Sequence, residues 1–221
     1  MSMAGRLPQS DDPSIQAMIS EHERLAALYL YNAEMGEKRV AAYLTIVSIA
    51  VAGLVSLPQY FREHVDEGAI LQSSTGVLLG LVFLGLLTFF RLVERRARGI
   101  EYLRAINRIH SYFVYKDAEL EPYFSWPPAD DYPSFGGRTT DFAGLRDVIA
   151  ALNSLSLGGV AALLLIMALP GIHYIFAVLL GLVIAAASWF VQHYVEQRSL
   201  RKIEELAKGY IRFPRKQTQP Q

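Results

Sequence analysis

VIAALNSLSLGGVAALLLIMALPGIHYIFAVLLGLVIAAASWFVQHYV, residues 148–195, is the stretch that decides the fold, because its 48 residues include no Asp, Glu, Lys or Arg. An uncharged apolar run of about 18 residues or more is typical of a membrane span, and about 20 residues cross the hydrocarbon core. Pro170 and Gly171 interrupt the run, and this pair commonly ends a helix and forms a turn. We therefore predict two spans, TM3 at about 148–169 and TM4 at about 172–195; a single re-entrant element is the alternative.

Two further uncharged runs lie earlier in the chain, at 40–61 and 68–90. They predict TM1 at about 40–61, with Pro58 as a possible earlier helix end, and TM2 at about 70–90. The composition agrees, since 52% of the 221 residues are hydrophobic and 19% are charged, whereas soluble domains carry about 25% charged residues. The predicted fold is all-α: a polytopic membrane protein with four transmembrane helices, in two hairpins, extended by cytoplasmic helices.

The distribution of basic residues predicts the orientation of the spans. Arg62 is the only Lys or Arg between TM1 and TM2, and the turn at Pro170 carries no charge. All other basic residues lie in the N-terminal arm, the central segment and the tail. Because loops rich in Lys and Arg remain cytoplasmic, we expect a multi-pass protein of the cell (inner) membrane with both termini in the cytoplasm.

The segments outside the spans divide the chain into five predicted parts. They are a disordered tail at 1–13, a region at 14–115 in which cytoplasmic helices flank TM1 and TM2, a cytoplasmic loop at 116–140, a second hairpin with its helix at 141–210, and a tail at 211–221. Asp12 followed by Pro13 is typical of a helix start, and Asp141 is predicted to cap the helix leading into TM3. The loop is rich in proline, which disfavours regular structure, and in aromatic residues, which favour an ordered loop.

Several classes of chemistry are disfavoured by what the sequence lacks. It contains no cysteine, which excludes disulfides, thiolate metal sites and a cysteine nucleophile. Its five histidines are not spaced as metal ligands, and no hydrolase or phosphate-binding motif occurs. Asp130 and Asp131 are interpreted as a solvated turn. A net charge of zero disfavours nucleic-acid binding. We therefore expect no catalytic residue, no metal, no cofactor and no enzymatic activity.

Three groups of residues are candidates for a functional or structural role. A polar layer in the cytoplasmic half of the spans is predicted at Thr45, Ser48, Thr88, Asn153 and Ser156, either as interhelical hydrogen bonds or as the lining of a vestibule. Small residues at helical spacing predict close helix packing, within one subunit or between subunits, at Gly76, Gly80, Gly158, Ala162, Ala177, Gly181 and Ala185. Basic residues just after TM2 are candidates for contact with anionic lipid headgroups, namely Arg91, Arg95 and Arg98.

Two functions remain open at this point. The first is a non-enzymatic, homo-oligomeric scaffold or accessory subunit that contacts membrane lipids and binds a cytoplasmic protein partner through its cytoplasmic helices. The alternative is a channel or membrane-permeabilising effector gated by those helices. Membrane hairpins with long cytoplasmic helices resemble, in architecture alone, the two-span effector modules of bacterial nucleotide-signalled defence systems. That resemblance implies action on the membrane, although likeness of fold does not establish function.

The orientation leads to a prediction about topology. Reporter fusions at Gly5 and Gln219 should both read as cytoplasmic, and a fusion at Gly68 should read as the opposite side, because the basic residues concentrate in the terminal and central segments. Paired alkaline phosphatase and fluorescent protein fusions measure this directly. A cytoplasmic signal at Gly68 would contradict the four-span arrangement.

Overall fold

The computed structural model describes residues 12–61, 66–125, 128–135, 144–169 and 171–214, with residues 57–61 described by their backbone alone. Every regular element in this part of the chain is helical. The elements are α1 (Pro13–Phe61), α2 (Glu67–Lys116), a first 3-10 helix (Ala118–Tyr123), α3 (Leu145–Ala168), α4 (Tyr174–Ala207) and a second 3-10 helix (Lys208–Tyr210).

Four helices are long and apolar enough to cross a membrane, and each overlaps one of the four predicted spans. Between 11% and 33% of the most apolar stretch in each is buried within the chain. The remaining apolar surface suits contact with lipid tails, because a membrane helix does not need to hide its side chains from water. The prediction of an all-α fold with four candidate membrane spans is confirmed.

The start of α1 follows from its first residues. The side chain of Asp12 accepts a hydrogen bond of 2.9 Å from the N–H of Ser14 and one of 2.6 Å from its hydroxyl. Pro13 occupies the first helical position, where a missing N–H costs nothing. The helix then continues through Pro58 to Phe61, so Pro58 does not end it, in line with the tolerance of membrane helices for proline.

The structure places the other boundaries within a few residues of the predicted ones. Helix α3 begins at Leu145, after Gly144 as N-cap, while the predicted cap Asp141 lies outside the described residues. Helix α4 begins at Tyr174, two residues later than predicted. Gly171 precedes it with φ of 101°, a left-handed conformation that glycine adopts without steric cost. The predicted loop also contains regular structure, since Pro122 lies within the first 3-10 helix.

The chain forms two compact units that combine segments distant in sequence. We call Met35–Arg95 with Arg138–Leu200 the span unit, because it contains the four apolar stretches. We call Met1–Glu34, Arg96–Gly137 and Arg201–Gln221 the polar unit. The helices α1, α2 and α4 contribute residues to both units.

The core of the span unit includes a close contact between the backbones of α3 and α4. A Cβ atom built on Gly181 would lie 2.7 Å from the carbonyl oxygen of Gly158, and one built on Gly158 would collide with the carbonyl oxygen of Gly181. The Cβ atoms of Ala162 and Ala185 lie beside these two glycines. Such contacts stabilise membrane helices through van der Waals packing, which larger side chains would prevent.

Candidate functional site

Asn153 belongs to a buried polar network in the span unit, in which Gln192 makes the most hydrogen bonds. Its Nδ2 donates a hydrogen bond of 3.2 Å to Oε1 of Gln192, which joins α3 to α4. The Nε2 of Gln192 donates in turn to Oγ of Ser154 at 2.9 Å and to Oγ of Ser188 at 3.2 Å. Asn153 is 2% exposed and Gln192 is 6% exposed. The network therefore pairs the amide NH₂ groups of both side chains and the amide oxygen of Gln192, which neither lipid nor bulk water can reach.

The other four residues of the predicted polar layer are satisfied within their own helices. Each hydroxyl donates to the carbonyl oxygen four residues earlier, at 2.9 Å for Thr45 and Ser48 and at 2.8 Å for Thr88 and Ser156. Ser and Thr commonly form this bond inside helices. The structure therefore connects Asn153 to Gln192 and Ser154 through side chains, and it leaves these four hydroxyls on their own helices.

An ionic cluster, which the sequence analysis did not single out, joins the first turn of α3 to the second half of α4 in the span unit. The guanidinium of Arg146 binds the carboxylate of Glu196, whose side chain is 3% exposed. Arg146 also binds Asp147 at 2.8 Å, and His193 approaches Asp147 at 3.6 Å. A buried carboxylate is costly unless it is paired, and Arg146 compensates the charge of Glu196.

Gln192 was also missed, although a signal for it exists in the sequence. Ser188, Gln192 and Glu196 are spaced by four residues, which places them on one face of α4. The apolar positions Ala177, Gly181 and Ala185 extend the same face, and all six residues are buried or half-buried. A polar stripe continuing a small-residue stripe thus marks the buried face of this helix.

The predicted packing residues fall into two groups. Five of them lie on α3 and α4, where Gly158, Gly181, Ala162 and Ala185 are in mutual contact and Ala177 is fully buried. Gly76 and Gly80 on α2 are exposed instead, and a Cβ atom on either would meet no atom of the described residues within 4 Å.

The predicted lipid-contacting arginines differ in exposure. Arg91 and Arg98 are exposed, and Arg95 is half-buried. Arg95 and Arg98 also interact with other groups of the chain. Their contact with lipid headgroups stays a prediction.

In the polar unit, Asp130 is buried, so its interpretation as part of a solvated turn is wrong. It is 1% exposed. Its carboxylate accepts hydrogen bonds from the backbone N–H groups of Arg212 at 2.8 Å and Phe213 at 2.9 Å, and from Nε of Arg108 at 3.1 Å. The first residues of the predicted tail are therefore held against the loop, because three donors compensate the buried charge.

Arg104 on α2 likewise binds groups of the loop and of α4. It is 5% exposed. Its guanidinium donates to the carbonyl oxygens of Pro133 at 2.9 Å and Asp131 at 3.1 Å, and to Oε1 of Glu204 at 2.7 Å. It also lies 4.4 Å from the ring centroid of Phe135, whose N–H donates to Oε2 of Glu204 at 2.6 Å. The loop is thus ordered by backbone contacts as well as by its aromatic side chains.

A cavity of about 420 Å³ lies beside Arg104 and Asp130 within the polar unit. Its lining combines charged residues with apolar ones: Glu101, Arg104, Ala105, Arg108, Asp130, Phe135, Ile203, Leu206, Ala207, Tyr210 and Ile211. At its edge, Leu206 and Tyr210 are each 75% exposed. Large apolar side chains that remain exposed beside a concave surface are typical of protein interaction sites.

Two histidines that are distant in sequence meet in the polar unit. Nε2 of His22 on α1 lies 3.2 Å from Nε2 of His110 on α2, and the His110 ring stacks on Phe124 with centroids 4.5 Å apart. The sequence analysis found no pair of histidines at ligand spacing, because these two are 88 residues apart. No group of three or more potential metal ligands occurs among the described residues.

Comparison with known proteins identifies no relative of this chain. No family model matches it, and no curated protein and no solved structure is significantly similar to it. Its function must therefore be argued from its own residues.

The histidine pair predicts a pH dependence of stability. Burial, and then the neighbouring His22, lower the pKa of His110 below its usual value; His110 lies well past Phe90, where the uncharged run of TM2 ends. The unfolded chain therefore binds the proton more readily, so the stabilisation is present above about pH 6.5 and is lost as the pH falls below it. Thermal unfolding of the detergent-purified protein between about pH 7.5 and about pH 5.5 measures this loss.

His110→Phe keeps a ring against Phe124 and should remove this part of the pH dependence. His173→Phe, which changes an exposed histidine of the span unit, serves as the control and should leave it unchanged. An identical pH profile for His110→Phe and the original protein would contradict the assignment.

Proposed function

We propose that this chain is a non-enzymatic, homo-oligomeric integral membrane protein, a scaffold or accessory subunit that binds a cytoplasmic protein partner through its polar unit. Both termini lie in the cytoplasm in this proposal. Its four spans anchor the chain in the inner membrane, and lipids contact the large exposed apolar surface of the span unit.

One observation carries the proposal: the polar unit fixes its loop and its tail firmly, yet leaves apolar side chains uncovered beside them. Arg104 and Asp130 hold backbone groups of the loop and tail through buried, charge-assisted bonds. Leu206 and Tyr210 remain exposed at the edge of the cavity. A rigid frame lowers the entropic cost of binding, and exposed tyrosine and leucine side chains supply anchors.

The charges around the cavity support a structural frame more than catalysis. Arg104 is occupied by Glu204 and two carbonyl oxygens, and Arg108 by Asp130 and the carbonyl oxygen of Tyr210. A catalytic acid or base must be able to exchange a proton with a substrate. These groups already hold each other, which favours recognition of a partner by the neighbouring apolar side chains.

Gly76 and Gly80 support the oligomeric part of the proposal. They lie four residues apart on an exposed face of α2 in the span unit. The backbone of a second copy has room to approach closely there. A strict monomer in detergent, with no crosslinked copy in cells, would contradict this part.

The binding surface can be tested with a photocrosslinking amino acid. Placed at Tyr210, it should give a discrete crosslinked product in cells, and Leu206→Asp should abolish that product, because a carboxylate in the apolar contact would be desolvated without a partner. Placed at Tyr115, which is 81% exposed in the same unit but does not line the cavity, it should give no such product. Two differently tagged copies show whether the captured protein is a second copy of this chain.

Equal crosslinking at Tyr210 and Tyr115, or none at either position, would contradict the assigned surface. Leu206→Asp changes a residue that is already 75% exposed, so its expression level and thermal stability should match those of the original protein. A loss of product without a loss of folded protein therefore reports on binding.

A channel or membrane-permeabilising effector is the second candidate, and the buried network of Asn153 and Gln192 favours it. If the network only joins helices, Asn153→Leu should lower stability slightly, by about 0.6 and at most about 1.7 kcal/mol, with assembly retained. If it lines a conduction path, the same change should leave stability intact and abolish flux from reconstituted liposomes, because it makes the constriction more hydrophobic. We expect the first result; unchanged stability with lost flux would favour the channel.

A further inference from the structure

Two buried oxygen atoms without a hydrogen-bond partner face the same glycine in the span unit. They are the hydroxyl oxygen of Tyr43 on α1 and Oδ1 of Asn153 on α3, in residues that are 3% and 2% exposed. A Cβ atom built on Gly85 of α2 would lie 2.7 Å from the first oxygen and 2.8 Å from the second. The absence of a side chain at Gly85 therefore lets two polar atoms from different helices converge.

The orientation of the Asn153 amide follows from its neighbours. Gln192 uses its Nε2 for the two hydroxyls of Ser154 and Ser188, which leaves its Oε1 to accept from Nδ2 of Asn153. Oδ1 of Asn153 must then face the other way, toward Gly85. This oxygen is an acceptor that needs a donor, and the hydroxyl of Tyr43 can both donate and accept.

We propose that Tyr43, Gly85 and Asn153 form a binding site for a single water molecule inside the span unit. The water accepts a hydrogen bond from the hydroxyl of Tyr43 and donates one to Oδ1 of Asn153. Buried waters occur where two or more otherwise unsatisfied polar groups meet, and a group left unsatisfied in this environment costs more than the ordering of one water.

This water connects α1 to the network of α3 and α4. Through Asn153 it continues the chain of side-chain bonds to Gln192, and Gly85 of α2 forms its wall. Each of the four membrane helices therefore contributes at least one residue to the same polar centre. The proposal does not depend on the partner-binding surface, which lies in the polar unit.

Radiolytic labelling in H₂¹⁸O tests the site, because hydroxyl radicals formed from a bound water oxidise the side chains beside it. In the purified full-length protein, Tyr43 should be labelled although it is 3% exposed. Phe89, an aromatic side chain of the same unit that is 1% exposed, should remain unlabelled and serves as the internal control.

Two variants then separate a bound water from a general opening of the protein. Gly85→Ala places a methyl group between the two oxygens, and Asn153→Leu removes the acceptor; in both, labelling of Tyr43 should fall to the level of Phe89. If Gly85→Ala does not fold, Asn153→Leu still gives the result, because it adds no atoms at Gly85. An unlabelled Tyr43 in the original protein, or undiminished labelling in a folded variant, would overturn the proposal.

Discussion

The hydrocarbon interior of a membrane offers no hydrogen bonds, and the span unit is organised by this constraint. Backbone groups satisfy one another within helices, which is why the four apolar stretches form helices. Hydroxyls such as that of Thr45 bond to their own helix. An amide has too many donors and acceptors for that solution, so Asn153 and Gln192 bond to each other across two helices. The position of the polar centre follows from the residues that cannot be satisfied locally.

The polar unit solves a different problem, since its loop is too rich in proline for continuous secondary structure. Backbone groups that no helix can pair are held by side chains instead: Arg104 binds two carbonyl oxygens of the loop, and Asp130 binds two N–H groups of the tail. Both charges are buried and both are compensated. An irregular segment thereby becomes a fixed surface, and a fixed surface with uncovered apolar side chains suits recognition of a partner.

Glycines of the span unit have three different kinds of surroundings. At Gly158 and Gly181 the absence of a side chain permits the contact of two backbones, and at Gly85 it admits two polar side chains. At Gly76 and Gly80 no residue in the described part of the chain occupies the available space. The same small-residue spacing thus corresponds to a packed interface on α3 and α4 and to an open face on α2. The spacing alone does not distinguish the two, because it shows that a close approach of another helix is sterically allowed and does not show which helix makes it.

The sequence by itself determined the number and approximate positions of the apolar helices, because hydropathy and charge are local properties of each segment. It also indicated that Asn153 requires a partner. Only the tertiary structure decided that the partner is Gln192, that Asp130 is buried rather than solvated, and that His22 lies against His110. Asn153 and Gln192 are 39 positions apart, and His22 and His110 are 88 positions apart. A periodic pattern within one helix does not indicate which distant helix packs against it.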